Sequence, residues 1–167
     1  CSEADLDAEV IELVLERLDT DAAVFINGHL LGCQKSVHYP FVKEIKEYIR
    51  PGRNELIVRG TTGMENVDDQ QLSQINWAVC REQDNGGKDR SDYRRAFVRR
   101  PQYTVGWDWG PRVVTCGITG DVYIRCMSKA AIRQMHVYTS DIREGQAVLS
   151  ASVCIENLDM LSTRDCS

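Results

Sequence analysis

The stretch "AAVFINGHLLG", residues 22–32, constrains the fold more than any other part of the chain. Two apolar runs flank Asn27-Gly28, and Asn-Gly supplies the two consecutive positive-φ residues of a tight hairpin turn. The hairpin also decides how its neighbour is read. In "DAEVIELVLERLDT", Ile11, Leu13 and Leu15 alternate as in a strand, while Val10, Val14 and Leu18 also suit a helix. Beside a hairpin the strand reading is favoured.

Further along, Phe41, Ile45, Tyr48 and Ile49 recur at helical spacing, which predicts a short helix or single turn ended by Pro51-Gly52. "NELIVRG" returns to strand, with Leu56 and Val58 on one face. Residues 61–92 are polar and end at Asn85-Gly86-Gly87, a loop signal; Leu72, Ile75 and Val79 mark one amphipathic helix within them. Strands are then expected over roughly 93–100, 102–105, 112–116 and 120–126, followed by two cleanly alternating segments, "AIRQMHVYT" and "QAVLSASVCIEN". In the second, Ala147, Leu149, Ala151, Val153 and Ile155 share a face. Many short strands with little helix predict an all-β sandwich.

Composition narrows the partners. A net charge of −5 and a sequence pI of about 5.2 argue against a general polyanion binder, which needs a basic face. The nearest thing to one is "YRRAFVRR", where Arg94, Arg95, Arg99 and Arg100 flank aromatics. On a strand Arg94 and Arg95 point to opposite faces, so a solvated or ion-paired strand is the plainer reading, and no nucleic acid is expected as a partner. No apolar run is long enough to cross a bilayer, so no membrane partner is expected either. Seven cysteines, at 1, 33, 80, 116, 126, 154 and 166, form no C-x-x-C pair. An odd, scattered set predicts reduced thiols in a cytoplasmic setting rather than a disulfide framework. His29, His38 and His136 are far apart, so neither a metal nor another cofactor is expected.

One motif carries chemistry. In "PQYTVGWDWGPR", residues 101–112, Trp107 and Trp109 bracket Asp108, with Gly106 in front and Gly110-Pro111 behind. Proline gives no amide to a ladder, so the triplet belongs at a strand end or loop. On the packing reading both indoles cap the core and Asp108 accepts backbone amides. On the binding reading the indoles offer flat apolar faces to a sugar ring and the carboxylate takes charge-assisted bonds from adjacent hydroxyls.

"ERLDTDAAVFINGHLLG", "RPGRNELIVR" and "RRAFVRRPQYTVGWDWGPRVVTCGITGDVYI" together resemble the amino-terminal sugar-binding-type domain of glycoside hydrolase family 2. The β-mannosidase branch matches best, through Gly-Trp-Asp-Trp-Gly-Pro. The resemblance implies a jelly-roll (galactose-binding-like) sandwich over residues 1–129, truncated at its N-terminus, and the start of an immunoglobulin-like β-sandwich over 130–167. It further implies that Asp108 hydrogen-bonds hydroxyls of a terminal mannose, that Trp107 lines the same pocket, and that Trp109 is pocket wall or support. The partners so implied are a β-mannoside or related oligosaccharide and a (β/α)8 barrel domain of the same polypeptide. Gly117-Ile118-Thr119 stands where family members commonly read Gly-Ile-Trp, and "CQKSVHYPF" lacks a frequent asparagine; both departures bear on substrate preference.

Retaining glycosidases need two carboxyl groups about 5 Å apart. By the resemblance both belong to the barrel, so no catalytic residue is assigned here and the chain alone is expected to be inactive. Asn54-Glu55 sits in a Pro-Gly-Arg-Asn turn and reads as structural. A sandwich lacking edge strands exposes unpaired backbone, so self-association is expected. The rival reading is a stand-alone, non-catalytic carbohydrate-binding module with Trp107, Asp108 and Trp109 as its own site.

Overall fold

A computed structural model of the protein describes residues 1–74, 93–106 and 113–158. The Asn-Gly hairpin forms as its sequence requires. Asn27 and Gly28 have φ of 48° and 85°, and they join β3 (Asp21–Ile26) to β4 (His29–Gln34), with Ile26 opposite His29. The Asn27 side chain does more than permit the turn. Its amide donates to the Tyr48 carbonyl and to Asn54 Oδ1, both at 2.8 Å, and its Oδ1 accepts the Glu55 amide at 2.9 Å. The hairpin tip is thereby tied to the start of β6 (Leu56–Thr61), which pairs antiparallel with β3.

β1 (Val10–Leu15) is buried along its whole length between β5 (Phe41–Glu44) and β8 (Val122–Met127). Its alternation resolves the ambiguity of the sequence in favour of a strand. Ile11, Leu13 and Leu15 pack with Phe41 on one side and with Ala22, Val24 and Ile26 of the facing sheet on the other. The two three-stranded sheets, β5–β1–β8 and β4–β3–β6, are therefore the layers of a sandwich around one core. Short β2 (Leu18–Asp19) pairs with β7 (Gly117–Ile118). Long β9 (Ala130–Arg143) and β10 (Gln146–Asn157) pair with each other as a ribbon.

The face of β1 turned away from that core contains a buried acid. Glu12 sits opposite Arg125 of β8 and accepts from Arg125 Nε at 3.0 Å and from Arg133 Nη1 of β9 at 2.8 Å. Arg133 also reaches Glu156 of β10. Burial alone would raise the Glu12 pKa, but the hydrogen bonds and charges of the two guanidiniums outweigh it and the carboxyl is held below its ordinary value. With Val10, Ala131 and Leu158 packed together nearby, this ion-pair network fixes the base of the ribbon to the sandwich.

Several sequence expectations are corrected. Phe41, Ile45 and Ile49 do turn toward the core, but through strand β5 and a single 3-10 turn at Lys46–Tyr48 rather than a longer helix. The spacing that suggests a helix is produced by a strand running into a turn. Residues 93–100 and 102–105 are not strands: Tyr93–Phe97 and Gln102–Val105 are 3-10 turns. Local bonds account for this, since Val98 donates to the Arg95 carbonyl and Thr104 to that of Pro101, and the proline cannot donate to a ladder. Residues 113–116 form no strand, and pairing begins only at Gly117. A short helix, α2 at Asp69–Ser73, starts where Asp68 accepts the Gln71 amide at 2.7 Å. It contains Leu72, while Ile75 and Val79 lie outside the described residues. A four-residue helix at Glu3–Leu6, α1 of the chain, was not anticipated; its signal is Ser2 capped reciprocally with Asp5.

Candidate functional site

Trp107, Asp108 and Trp109 lie outside the described residues, so the candidate site is defined by the two stems that lead into and out of it. The incoming stem is the 3-10 turn Gln102–Val105. Thr104 closes it by donating its hydroxyl to the Pro101 carbonyl at 2.6 Å. Val105 is fully buried and packs with Met64 and Val98, with Val67 and Val114 alongside. Because Val114 belongs to the outgoing stem, one small apolar cluster holds both ends. Gly106, at φ 127° and ψ 163°, then leaves the turn with a backbone conformation that side chains with a Cβ rarely adopt.

Arg100 reinforces the same geometry. Its side chain is 1% exposed and its guanidinium uses all three nitrogens. Nε donates to Thr104 Oγ1 at 2.8 Å, Nη1 to the Thr115 carbonyl at 3.0 Å, and Nη2 to Asp19 Oδ2 at 2.9 Å. Thr104 precedes the triplet and Thr115 follows it, so the planar fork spans both stems and anchors them to β2. Sequence reading placed Arg100 on an ion-paired or solvated strand. The ion pair is there, but from a buried side chain outside any strand, to a partner 81 residues away. Arg95 is half-buried, and Arg99 makes a parallel bridge to Ser36, so these arginines do not assemble as one stripe.

Two concavities are described on other parts of the surface, the first reaching Phe97 and Val98. A cleft of about 200 Å³ is lined by Thr20, Asp21, Lys35, Asn66, Gln71 and Phe97. Its polar groups face each other: Asn66 donates to Asp21 Oδ2 at 2.8 Å and Lys35 lies 3.7 Å from the same oxygen. A shallow groove of about 450 Å³ crosses the outer face of β5–β1–β8 beside Val42, Tyr123 and Arg125. Among the described residues no three His, Cys, Asp or Glu side chains converge as metal ligands. Cys1, Cys33, Cys116, Cys126 and Cys154 are free thiols. Asn54 and Glu55 fill the structural role read from the sequence: Asn54 Oδ1 accepts the Arg50 amide at 3.0 Å, and its Nδ2 donates to the Arg50 carbonyl at 2.8 Å. No helix among the described residues is long and apolar enough to cross a membrane.

The two facing sheets and the hairpin tied to β6 are those of a jelly-roll sandwich domain. Residues 1–120 match the family described as "Glycosyl hydrolase 2 galactose-binding domain-like", and the chain belongs to that family. Among curated relatives it is 29% identical over 105 residues to "Beta-mannosidase B" of Thermothelomyces thermophilus, covering 63% of this chain and 12% of that protein. It is 25% identical over 123 residues to "Probable beta-mannosidase" of Caenorhabditis elegans, covering 72% and 14% respectively. A solved β-D-mannosidase from Dictyoglomus thermophilum superposes with a TM-score of 0.77 at 25% identity, over 94% of this chain and 18% of that one. The chain thus spans about one seventh or less of the length of these two curated relatives.

Proposed function

We propose that this chain is the amino-terminal, substrate-positioning part of a β-mannosidase-like glycoside hydrolase that removes terminal β-D-mannose residues. In this reading Asp108 accepts hydrogen bonds from hydroxyls of the terminal sugar. Trp107 and Trp109 wall or support the same pocket. The nucleophile and the acid/base come from a (β/α)8 barrel of the same polypeptide, over whose mouth the turn reaches. Residues 130–167 begin a second, immunoglobulin-like sandwich, and the free thiols fit a reducing, cytoplasmic setting. The observation that carries the reading is the solved β-D-mannosidase that superposes on nearly all of this chain. The buried side chains of Val105 and Arg100 support it, because a turn meant to grip a ligand needs fixed ends.

The test is made in the full-length polypeptide that carries this segment. Asp108→Ala is expected to cut kcat/KM for 4-nitrophenyl β-D-mannoside by about 10²–10³-fold, because a bond strengthened in the transition state is lost. The same assay with β-glucoside, β-galactoside and β-glucuronide identifies the sugar. Wild-type turnover by the variant removes Asp108 from the site, and a preference for another glycoside overturns mannose. Calorimetry of the 167-residue chain with mannobiose addresses the binding-module alternative, which requires heat of binding without the barrel.

A further inference from the structure

We infer that the cleft between the start of β3, the end of β4 and the 3-10 turn at Met64–Asn66 binds one neutral sugar ring through its hydroxyls. The choice of a sugar among neutral polyols rests on the glycosidase reading above; the charge pattern of the cleft does not.

The polar rim carries the argument. Lys35 Nζ stands 3.7 Å from Asp21 Oδ2, wider than a direct N–H···O bond. A group beside that gap that accepts from the ammonium and donates to the carboxylate joins the two, as a bridging water would. A hydroxyl does both. Asn66 gives its Nδ2 to the same Asp21 oxygen at 2.8 Å, which leaves its Oδ1 as an acceptor with no partner among the described residues. Gln71 spends its Oε1 on the Asp68 amide at 3.1 Å, which leaves Nε2 as a donor, likewise without a partner among them. Donors and acceptors thus alternate around one space of about 200 Å³. An anion entering it meets Asp21 and a cation meets Lys35, so charge selects a neutral ligand that carries both hydrogen-bond functions.

Apolar side chains complete the lining. Phe97, Val67 and Val98 offer surface to the C–H groups of a ring, and small-molecule sites combine such walls with a few placed polar groups. Val98 is buried with Met64 and Val105, so the packing that holds the 3-10 turn also sets this part of the wall. Gly63, at φ 82°, brings the turn so near that a Cβ there would lie 3.3 Å from Val98 Cγ1. The volume lies below the roughly 300–1,000 Å³ of pockets for drug-sized ligands, so the cleft fits a single ring rather than a chain. Walls built on packed turns need little ordering when a ligand enters.

The test is a magnetic-resonance titration of the isotope-labelled 167-residue chain with methyl β-D-mannoside and methyl β-D-glucoside, followed through the side-chain amide signals of Asn66 and Gln71. Those signals are expected to shift and saturate with at least one glycoside, while those of Asn27 and Asn54, held in the hairpin network, stay in place. The Lys35 side chain is 74% exposed, so Lys35→Met keeps the fold; it is expected to raise Kd at least about tenfold through the lost charge-assisted bond. No saturable shift with either glycoside up to about 100 mM overturns the inference, as does an unchanged Kd in Lys35→Met. An equal response to glycerol, which marks a general polyol effect, or to acetate, which marks an anion site, overturns it too. Shifts that vanish in Asp108→Ala and persist in Lys35→Met assign the sugar elsewhere and overturn the cleft. A full-length polypeptide that does not hydrolyse β-mannosides sinks the glycosidase reading separately, and the titration still upholds or overturns the cleft.

Discussion

Replacing Glu12 with glutamine tests how the ribbon is held to the sandwich. The Glu12 side chain is only 9% exposed, and removing its charge leaves Arg125 and Arg133 facing a neutral amide. Breaking a fully enclosed ion pair costs about 3–5 kcal/mol. Arg125 and Arg133 keep 40% and 32% of their side chains exposed, and Arg133 retains Glu156, so water and the second acid relieve most of that penalty. Discounted for this screening, about 1–2 kcal/mol is expected. The acid also predicts a pH signature. Its folded pKa lies below the ordinary 4.5, so the unfolded chain binds the proton first and stability rises with pH across that interval. The contribution is complete above about pH 5 and fades as pH falls through the folded value. Glu44 is directly opposite Glu12 on β5 and is exposed. Urea unfolding of wild type and Glu12→Gln between pH 3 and 7 should show a gap of about 1–2 kcal/mol at neutrality that narrows toward acid. A gap independent of pH, or one below about 0.3 kcal/mol at pH 7, would refute the reasoning.

Asn27→Ala loses three hydrogen bonds and places a Cβ-bearing residue without a local bond at positive φ; a loss of about 2 kcal/mol is expected by denaturant titration, and a change under about 0.5 would contradict it. Gly120→Ala puts a Cβ 2.9 Å from Glu16 Cβ and 3.1 Å from the Arg17 backbone nitrogen, so about 1–3 kcal/mol of overpacking strain is expected in thermal melts, against no change if the two chain segments part freely. On the ribbon, Ile132, Met135, Leu149 and Ile155 are all more than 60% exposed, and Leu149→Lys with Ile155→Lys is expected to reduce concentration-dependent association of the 167-residue chain in sedimentation. Unchanged association would place the contact elsewhere.

What the sequence disclosed depended on whether the determining interaction was local. The Asn27-Gly28 hairpin was legible because two adjacent residues set both turn dihedrals, and β1 because Ile11, Leu13 and Leu15 alternate into one core. The turns at 93–97 and 102–105 were misread as strands because their cause is not hydrophobic period. Local i→i−3 bonds, Pro101 and a buried arginine fix them, and Arg100 looks the same in sequence whether it faces water or Asp19. Glu12 was hidden for a related reason. An acid inside an apolar strand is stable there only through Arg125 and Arg133, which lie 113 and 121 residues away. The triplet itself was conspicuous from composition and flanking glycines, whereas the frame that holds its stems comes from long-range contacts to β2 and to Met64.

The most direct measurement is a crystal structure of the full-length polypeptide with a mannose-configured transition-state analogue bound. The account predicts an Asp108 carboxylate oxygen within about 3 Å of a sugar hydroxyl, with an indole of Trp107 or Trp109 against the ring. Asp108 and both indoles turned inward among their own strands, with the sugar bound beyond their reach, would contradict it.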